Sequence, residues 1–243
     1  MSLYYLQMPK HEPIIRPLVK KRRPRRLMRR PTKSEMMVIG NRRTQLLNAA
    51  MQAIQVYGLQ NLTLEKVTDI AEVTPAVVSF HFANKQRFLA ETLRHLAIEF
   101  DRYLQARIES IEDPREKLRC VGRVMLNEEI ASKRHVAVWY AFMGERGWEQ
   151  IYREVTGQHD RRFYDFILKC FTERARQLGC RPSALAVHAA TRGFIGMLDG
   201  FWQEILFDDS SFDRAAAANL CNIYLDLLDS SFRNTKNLGN KSA

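Results

Sequence analysis

The chain has 243 residues, of which 46% are hydrophobic, and a net charge of +11, so it is long enough to form a small domain joined to a larger one with its own core. No apolar run approaches the roughly 20 residues that span a bilayer, and the N-terminus lacks the apolar segment of a signal peptide. The four cysteines show no metal-ligand or disulfide spacing, so we expect a cytoplasmic protein with no membrane partner, metal or cofactor.

The positive charge is concentrated at the start of the chain. Residues 1 to 35 hold eleven Lys and Arg against two Glu, which is +9 of the net +11. The stretch VKKRRPRRLMRRPTK (19 to 33) has no periodic apolar face, so we predict that residues 1 to 38 form a disordered basic extension. Three interpretations stay open: a DNA-binding arm, a solvated tail without a partner, or a translation start assigned too early, because Met36 or Met37 is a natural beginning.

A helical pattern begins at Asn41. In RRTQLLNAAMQAIQVYG (42 to 58) the apolar residues recur three and four positions apart, and Gly58 stands where a helix ends. Thr63 precedes the periodic stretch LEKVTDIAE. We therefore predict that Thr63 is the N-cap of a second helix, which ends near Glu72.

A third, very short helix is predicted from about 75 to 82. Thr74 is the expected capping residue and Pro75 the first helical residue, since proline is pre-set for that position. Asn84 then caps a fourth helix, which begins at Lys85 and runs for some 25 residues. A helix as short as the third contributes little stability, which suggests that it is presented to a partner.

Everything after Pro114 also has a helical pattern, without alternating strands or a fixed repeat. The predicted helices are 114 to 131, 134 to 143, 146 to 178, 182 to 207 and 212 to 233. The fold class is therefore all-α.

The second and third helices together form a helix-turn-helix, which places its second helix in the major groove of DNA. On a helical wheel Val78 and Phe82 share one side and are expected to pack inward. The outward-facing residues are Thr74, Pro75, Ala76, Val77, Phe80 and His81. Such small or flat groups suit base edges and thymine methyl groups, while cations at the borders hold phosphates.

The run TLEKVTDIAEVTPAVVSFHFANKQRFL (63 to 89) resembles the DNA-binding region of TetR-family bacterial repressors, in which T-x-x-x-I-A-x-x-x-G-V-S-x-x-x-x-Y-x-H-F-x-x-K-x-x-L recurs. The matching residues are Ile70, Ala71, Val73, His81, Phe82, Lys85 and Leu89, with Thr74 in place of serine. Glu72 takes the position usually given to glycine, at a cost of about 1 kcal/mol if its φ is positive. Ser79 replaces the usual tyrosine.

The resemblance implies an N-terminal DNA-binding domain at 39–88, a helical effector-binding and dimerisation domain at 89–235, and a flexible tail at 236–243. It implies phosphate contacts by Thr63, Ser79, His81 and Lys85, and base contacts by Pro75, Ala76, Val77 and Phe80. Arg42 and Arg43 either enter an adjacent groove or are solvated. For His81 and Phe80 the alternative is ordinary packing.

Family members form homodimers through their last two long helices, and the sequence supports a closely packed pair. In SALAVHAATRGFIGMLDGFWQEILF (183 to 207) small residues recur three and four positions apart. They are Ala186, Ala189, Ala190, Gly193, Gly196 and Gly200. A stripe with Ile223, Tyr224, Leu227 and Leu228 follows in the last helix. A two-fold dimer matches a palindromic operator on double-stranded DNA; alternatively, these residues fill the core of one monomer.

A candidate effector site combines aromatic rings with carboxylates. Its members are Trp139, Tyr140, Phe142, Asp199, Trp202 and Glu204. Rings and carboxylates suit a quaternary ammonium ion, which is held by cation–π attraction and charge. The segments WYAF and MLDGFW resemble those of the choline-responsive BetI branch of the family, which controls glycine betaine synthesis, although Met143 stands where that branch tends to have tryptophan. Core packing of the tryptophans, or a different hydrophobic or cationic ligand, is the alternative.

The resemblance therefore implies a repressor that a small molecule, choline in the first instance, releases from its operator. An enzyme is not expected, because the chain lacks a nucleophile elbow, a metalloprotease motif and a phosphate-binding glycine loop. The adjacent pair His159-Asp160 is expected to be solvated. A remote alternative is a nonspecific nucleic-acid binder driven by the basic extension.

Overall fold

The computed structural model describes residues 33–239, with side chains from 40 to 234. The described residues form ten α-helices and no strand, which confirms the all-α fold class. The helices are α1 (Lys33–Tyr57), α2 (Leu64–Ala71), α3 (Pro75–His81), α4 (Lys85–Ile108), α5 (Pro114–Met125), α6 (Glu128–Ala131), α7 (Lys133–Gly144), α8 (Glu149–Gln177), α9 (Ala184–Asp208) and α10 (Arg214–Gly239). In this part of the chain no helix is long and apolar enough to cross a membrane.

The first three helices form a compact unit around the apolar face of α1. That face includes Leu46, Leu47 and Ala50, all of which are buried. α1 begins at Lys33, ahead of the predicted start at Asn41. The remainder of the basic extension, and the three interpretations of it, lie outside the described residues.

The turn between α2 and α3 depends on a left-handed residue. Glu72 has φ 53° and ψ 46°, and it is the one non-glycine residue with positive φ in the described chain. Its amide donates to the Asp69 carbonyl, and the Val73 amide donates to the Thr68 carbonyl, which closes the C-terminus of α2. In the sequence, this is the position at which glutamate replaces the glycine that is usual in the motif.

α4 connects the N-terminal unit to the rest of the molecule. Its N-terminal half buries Phe88, Leu89 and Leu93, and its C-terminal half buries Phe100 and Leu104. It packs against α1 at one end and against α5, α7 and α8 further along. The long connecting helix predicted from Lys85 is therefore confirmed.

The single helix predicted from 114 to 131 is wrong, because α5 ends at Met125 and α6 begins at Glu128. Asn127 interrupts it: its side chain accepts from the Glu129 amide at 2.9 Å, a local capping bond that competes with helix continuation. The carbonyl of Met125 accepts instead from the Trp202 indole N–H at 2.6 Å. Tertiary contacts have thus replaced the helical bonds that the sequence pattern predicted.

A buried ionic network joins α5, α8 and α10. The Arg115 guanidinium donates to Asp226 and Asp229, and Arg174 donates to Asp229 at 2.7 Å. The bond to Asp229 raises the pKa of Arg174. Since Arg115 and Asp229 are both buried, removing one partner would leave the other charge uncompensated.

The α9–α10 contact requires a glycine. A Cβ atom at Gly193 would lie 2.1 Å from the hydroxyl oxygen of Tyr224, whose ring stacks on Phe194. Tyr224 therefore faces α9, whereas Ile223 and Leu227 are 54% and 64% exposed. The single stripe predicted for the last helix is accordingly split between two faces.

The cysteines are buried free thiols. Burial raises the pKa of Cys170 to about 12 and that of Cys221 to about 11, so both are protonated and unreactive at neutral pH. Among the described residues no group of His, Cys, Asp and Glu side chains is placed to hold a metal ion.

Candidate DNA interface and effector site

α3 separates into a buried side and an open side. Val78 and Phe82 are 2% and 5% exposed, whereas Phe80 is 71% exposed. The Phe82 ring packs on Phe88 with centroids 4.6 Å apart, and the Arg43 guanidinium lies 5.1 Å above it. The inward packing predicted for Val78 and Phe82 is confirmed, and it fixes the helix so that its other face is rigidly presented.

The open face of α3 carries the residues predicted for base contact. Pro75, Ala76 and Phe80 are exposed, and Val77 is half-buried. A phenylalanine that is 71% exposed contributes little to the core of the monomer, and its flat apolar ring is suited to contact with thymine methyl groups.

Thr74 occupies the N-cap of α3, but its hydroxyl makes no capping bond, so that detail of the prediction is wrong. The Thr74 backbone carbonyl accepts from the Val77 amide at 3.0 Å, and Pro75 has no N–H to be capped. The hydroxyl is consequently exposed and available to an external acceptor or donor.

The predicted cations differ in how firmly they are held. Arg43 is paired with Glu91 at 3.1 Å, and Arg42 donates to the Gln45 side chain at 2.8 Å. The Lys85 ammonium group donates to the carbonyl of Leu62, which ties the start of α4 to the turn before α2. Arg43 thus has a structural role, while Arg42 is exposed.

Thr63 caps α2 as predicted, since its hydroxyl oxygen accepts from the Lys66 amide at 3.3 Å. Asn84 caps α4 in the same way, accepting from the Arg87 amide at 2.8 Å. The two caps lie close together, because the bond from Lys85 to the Leu62 carbonyl joins the start of α4 to the turn before α2. They leave other N–H groups of the first turns of α2 and α4 free, as anion binding requires.

The last turn of α3 contains His81 and Ser79, two residues predicted to contact phosphate. Partial burial lowers the pKa of His81, and the positive charges of Arg43 and Arg42 lower it further. At neutral pH the imidazole is therefore neutral and offers a hydrogen bond without a charge. Ser79 donates to the Pro75 carbonyl at 3.4 Å, so its hydroxyl is occupied locally in the free protein.

The second site lies where α7, α8 and α9 meet. Trp139 is 5% exposed; it stacks on His159 at 5.6 Å and meets Tyr152 edge to face at 6.4 Å. Its indole N–H is buried and has no hydrogen-bond partner among the described residues. A buried donor without an acceptor is costly, and a ligand or water molecule would relieve that cost.

Two carboxylates accompany these rings. Asp160 and Asp199 are both exposed, but neighbouring protein partly desolvates their carboxylates and so raises the pKa of both. The charge of Asp160 adds to the shift at Asp199, and both carboxylates help to raise the pKa of Tyr152. We call Trp139, Tyr140, Tyr152, Asp160 and Asp199 the acidic recess.

The structure brings together only part of the predicted effector set. The Tyr140 hydroxyl donates to the Asp199 carbonyl at 3.2 Å, so these two join Trp139 in the recess. Phe142 is fully buried and packs edge to face on Trp148 at 5.3 Å.

Trp202 is 7% exposed, and its indole N–H is already bonded to the Met125 carbonyl. Glu204 is exposed on α9, and no hydrogen bond or ion pair joins it to the other predicted residues in the described chain. Five positions turn a helix by about 140°, so Asp199 and Glu204 point in different directions.

The sequence analysis missed the contribution of α8. The expectation that His159 is solvated is wrong, because it is buried and its Nδ1 lies 2.7 Å from the Asp101 carboxylate. Tyr152, Thr156 and Asp160 recur every four residues, and that polar stripe was the available signal for an inward-facing site. The Thr156 hydroxyl lies 2.9 Å from the Tyr152 carbonyl and 3.2 Å from the Asp160 carboxylate, so its one hydrogen is shared between these two acceptors.

Comparison with known proteins gives two family matches. Residues 46–92 match the model of bacterial regulatory proteins of the tetR family, and residues 114–230 match that of the C-terminal domain of BetI-type transcriptional repressors. The transcriptional regulator BetI of Paraburkholderia phymatum is 31% identical over 188 residues, which cover 77% of this chain and 92% of that protein. BetI of Pseudomonas aeruginosa is 27% identical over 76% of this chain and 91% of its own.

Solved structures share the fold at lower identity. A transcriptional regulator from Saccharomonospora viridis in complex with choline superimposes with a TM-score of 0.67 at 18% identity, over 77% of this chain and 96% of that one. FadR from Bacillus subtilis in complex with stearoyl-CoA gives 0.62 at 20% identity, over 77% and 97%. The same fold thus accompanies a small cation in one protein and a long acyl chain in another.

Proposed function

The chain belongs to the TetR family of bacterial regulatory proteins and has a BetI-type C-terminal domain, and from this premise we propose that it is a homodimeric repressor released from its operator by a small organic cation such as choline. A transcriptional repressor of this type binds DNA and is not an enzyme. The N-terminal domain at 39–88 holds the DNA, and the domain at 89–235 holds the effector and the partner subunit.

The open face of α3 supports the DNA-binding part of the proposal. Phe80, Ala76 and Pro75 enter the major groove, while Thr63 and Lys85 lie at its borders beside phosphates. His81 donates a neutral hydrogen bond to a phosphate oxygen. Contacts of this kind fix position without requiring further charge.

Exposed apolar side chains on the last two helices support the dimer. They are between 51% and 81% exposed, and they are Leu185 and Phe207 on α9 and Leu220, Ile223 and Leu227 on α10. Gly196 and Gly200, on the same helix as Gly193, have no atom within 4 Å of a built Cβ, so a partner helix has room to approach there. A two-fold pairing would set the two α3 helices at a fixed spacing.

The acidic recess is the observation that carries the effector proposal. Two carboxylates beside three aromatic rings attract a cation, and the enclosure that raises their pKa also strengthens that attraction relative to open water. Choline carries a hydroxyl oxygen, which can accept from the unpaired indole N–H of Trp139. The choline complex of a protein with the same fold agrees with this choice.

α7 gives the recess a direct route to the DNA-binding domain, in addition to α4. It carries Trp139 and Tyr140 and packs against α1. At its C-terminal end Glu145 accepts from the Gln60 side chain at 2.5 Å, in the loop between α1 and α2. A cation that shifts α7 would therefore shift α1 and change the spacing of the two α3 helices.

The test is fluorescence anisotropy of labelled DNA from immediately upstream of the protein's own gene, at about 150 mM salt and with random DNA as competitor. We expect specific binding that choline weakens about 5- to 150-fold, the usual range of coupling between two sites. Specific binding that choline leaves unchanged would refute the choline assignment and keep the repressor. Specific binding that survives deletion of residues 1–32 is expected, whereas loss of nearly all DNA binding on that deletion would favour the tail-driven alternative.

Two variants make the test specific to the recess. Asp160→Asn removes one of its carboxylates and is expected to abolish the choline response while DNA binding remains. Asp165→Asn removes an equivalent charge from an exposed position of the same helix and is expected to respond as the wild type does. Equal responses of both variants would contradict the location of the effector.

A further inference from the structure

A cleft lies between the DNA-binding domain and α7, and it shares no lining residue with the acidic recess. It has a volume of about 510 Å³, which falls in the range of small-molecule sites. Its lining residues come from α1, α2 and α7, and they are Asn41, Thr44, Gln45, Asn48, Ala49, Gln52, Ile70, Ala71 and Arg134. The cleft is therefore shared by the two parts of the molecule whose relative position decides DNA affinity.

The cleft contains one cation and no carboxylate among these lining residues. Arg134 is half-buried, and its Nε–H is buried without a hydrogen-bond partner in the described chain. Arginine normally uses its planar set of donors on carboxylate or phosphate oxygens. An uncompensated guanidinium in a concave site is a binding determinant for an anion.

The positive charge of Arg134 affects the pKa of the neighbouring residue, His135. His135 is enclosed by protein, and this burial lowers its pKa; the positive charge of Arg134 lowers it further. Glu99 acts in the opposite direction but does not reverse the shift. The positive charge of Arg134 is thus a secondary cause of this shift, after burial, and a bound anion would neutralise that charge.

Amide side chains provide the other half of the recognition. Asn41, Gln45, Asn48 and Gln52 follow one another on the same face of α1, together with Thr44. Each amide offers donors and an acceptor, although Gln45 already donates to the Ala71 carbonyl at 2.8 Å and accepts from Arg42 at 2.8 Å. Such a row suits a ligand with several hydroxyl groups and gives little surface to an apolar one.

We propose that this cleft binds a hydroxylated organic anion, of the sugar phosphate or hydroxycarboxylate class, with Arg134 on the anionic group and the α1 amides on the hydroxyls. Occupancy joins α1 to α7 and so changes operator affinity from a site separate from the acidic recess. The site and its ligand class go beyond the proposed response to a cation, and binding to the cleft does not depend on that response.

The experiment is isothermal titration of the full chain with glucose 6-phosphate, citrate and inorganic phosphate, with glucose as the uncharged probe. We expect glucose 6-phosphate or citrate to bind more tightly than inorganic phosphate, and glucose not to bind. Arg134→Gln is expected to weaken the affinity at least about tenfold, and Lys133→Gln, which removes a charge outside the lining, to leave it unchanged. Asn48→Asp, which brings a carboxylate into the cleft, is expected to weaken it as well.

A thermal scan gives a second readout, with a rise in Tm of about 5–10 °C at 100 times Kd in the wild type and none in Arg134→Gln. Equal binding by Lys133→Gln and Arg134→Gln would overturn the assignment. Absence of binding by all three anions, or effects that sodium chloride reproduces at the same ionic strength, would overturn the site itself.

Discussion

Replacing Phe80 by alanine is expected to weaken specific DNA binding without changing the stability of the fold. Phe80 is 71% exposed, so its loss is expected to change the free energy of unfolding by less than about 0.5 kcal/mol. Phe82, two residues later, is 5% exposed and packs on Phe88. Phe82→Ala is therefore the matched control, with an expected cost of about 3–5 kcal/mol and a fall in Tm of about 6–20 °C.

The effect of Phe80→Ala on DNA is expected to be large because a dimer uses the residue twice. Disturbing the readout at one base position costs about 1–3 kcal/mol, so two half-sites lose about 2–6 kcal/mol, which is roughly a thirtyfold to twenty-thousandfold loss of affinity. Fluorescence anisotropy with specific and random DNA measures it, and nonspecific affinity should stay the same. Unchanged specific binding by a folded Phe80→Ala protein would refute the assignment of α3 as the reading helix.

Four further predictions follow from particular contacts. Asp199→Asn is expected to weaken choline binding about tenfold to a hundredfold. Wild-type choline affinity should fall on acidification, because protonation of the carboxylates removes the attracting charge. Since burial raises the pKa of Asp160 and Asp199, this fall should occur at a higher pH than for an ordinary aspartate. Glu72→Gly is expected to stabilise by roughly 0.5 kcal/mol in urea unfolding, since relief of the left-handed backbone exceeds the extra entropy of an unfolded glycine. Asp229→Ala leaves two guanidinium groups without their shared partner and should cost about 3–5 kcal/mol. Leu227→Glu should convert a dimer to monomers in sedimentation.

Each of these has an outcome that contradicts it. A choline affinity that is independent of pH between about 4 and 8 would remove the carboxylates from the binding site. Glu72→Ala keeps the left-handed strain, so a gain equal to that of Glu72→Gly would mean that the carboxylate, and not the backbone, is responsible. A neutral Asp229→Ala would indicate that the guanidinium groups find other partners. A Leu227→Glu protein that sediments as the wild type does would place the dimer interface elsewhere.

The DNA-binding region was largely predictable because its signals are local. Pro75 and Asn84 mark helix starts within a few residues of the chain, and the position of Glu72 within the motif indicated a left-handed turn. The capping role of Thr74 was wrong because a backbone carbonyl took the available N–H group. That choice depends on the geometry of one turn and has no signature in residue type.

The candidate effector site was less predictable because it depends on which helices meet. The grouping of Trp139, Tyr140 and Asp199 was predicted from residue type, whereas Asp160 is brought to them by the packing of α8 against α7 and α9. Glu204 was included because it is near Asp199 in sequence, although the helical rotation separates the two side chains. The break before α6 was missed for a similar reason, because tertiary donors bind the carbonyls at the end of α5.

The most direct test of the account is selection of genomic DNA fragments by the purified full chain, followed by sequencing, with and without choline. The account predicts enrichment of one inverted repeat whose half-sites are about one helical turn apart, or a multiple of it, and a lower recovery of that repeat when choline is present. Absence of any enriched motif, under conditions where the protein is folded and dimeric, would contradict the claim that α3 reads DNA sequence.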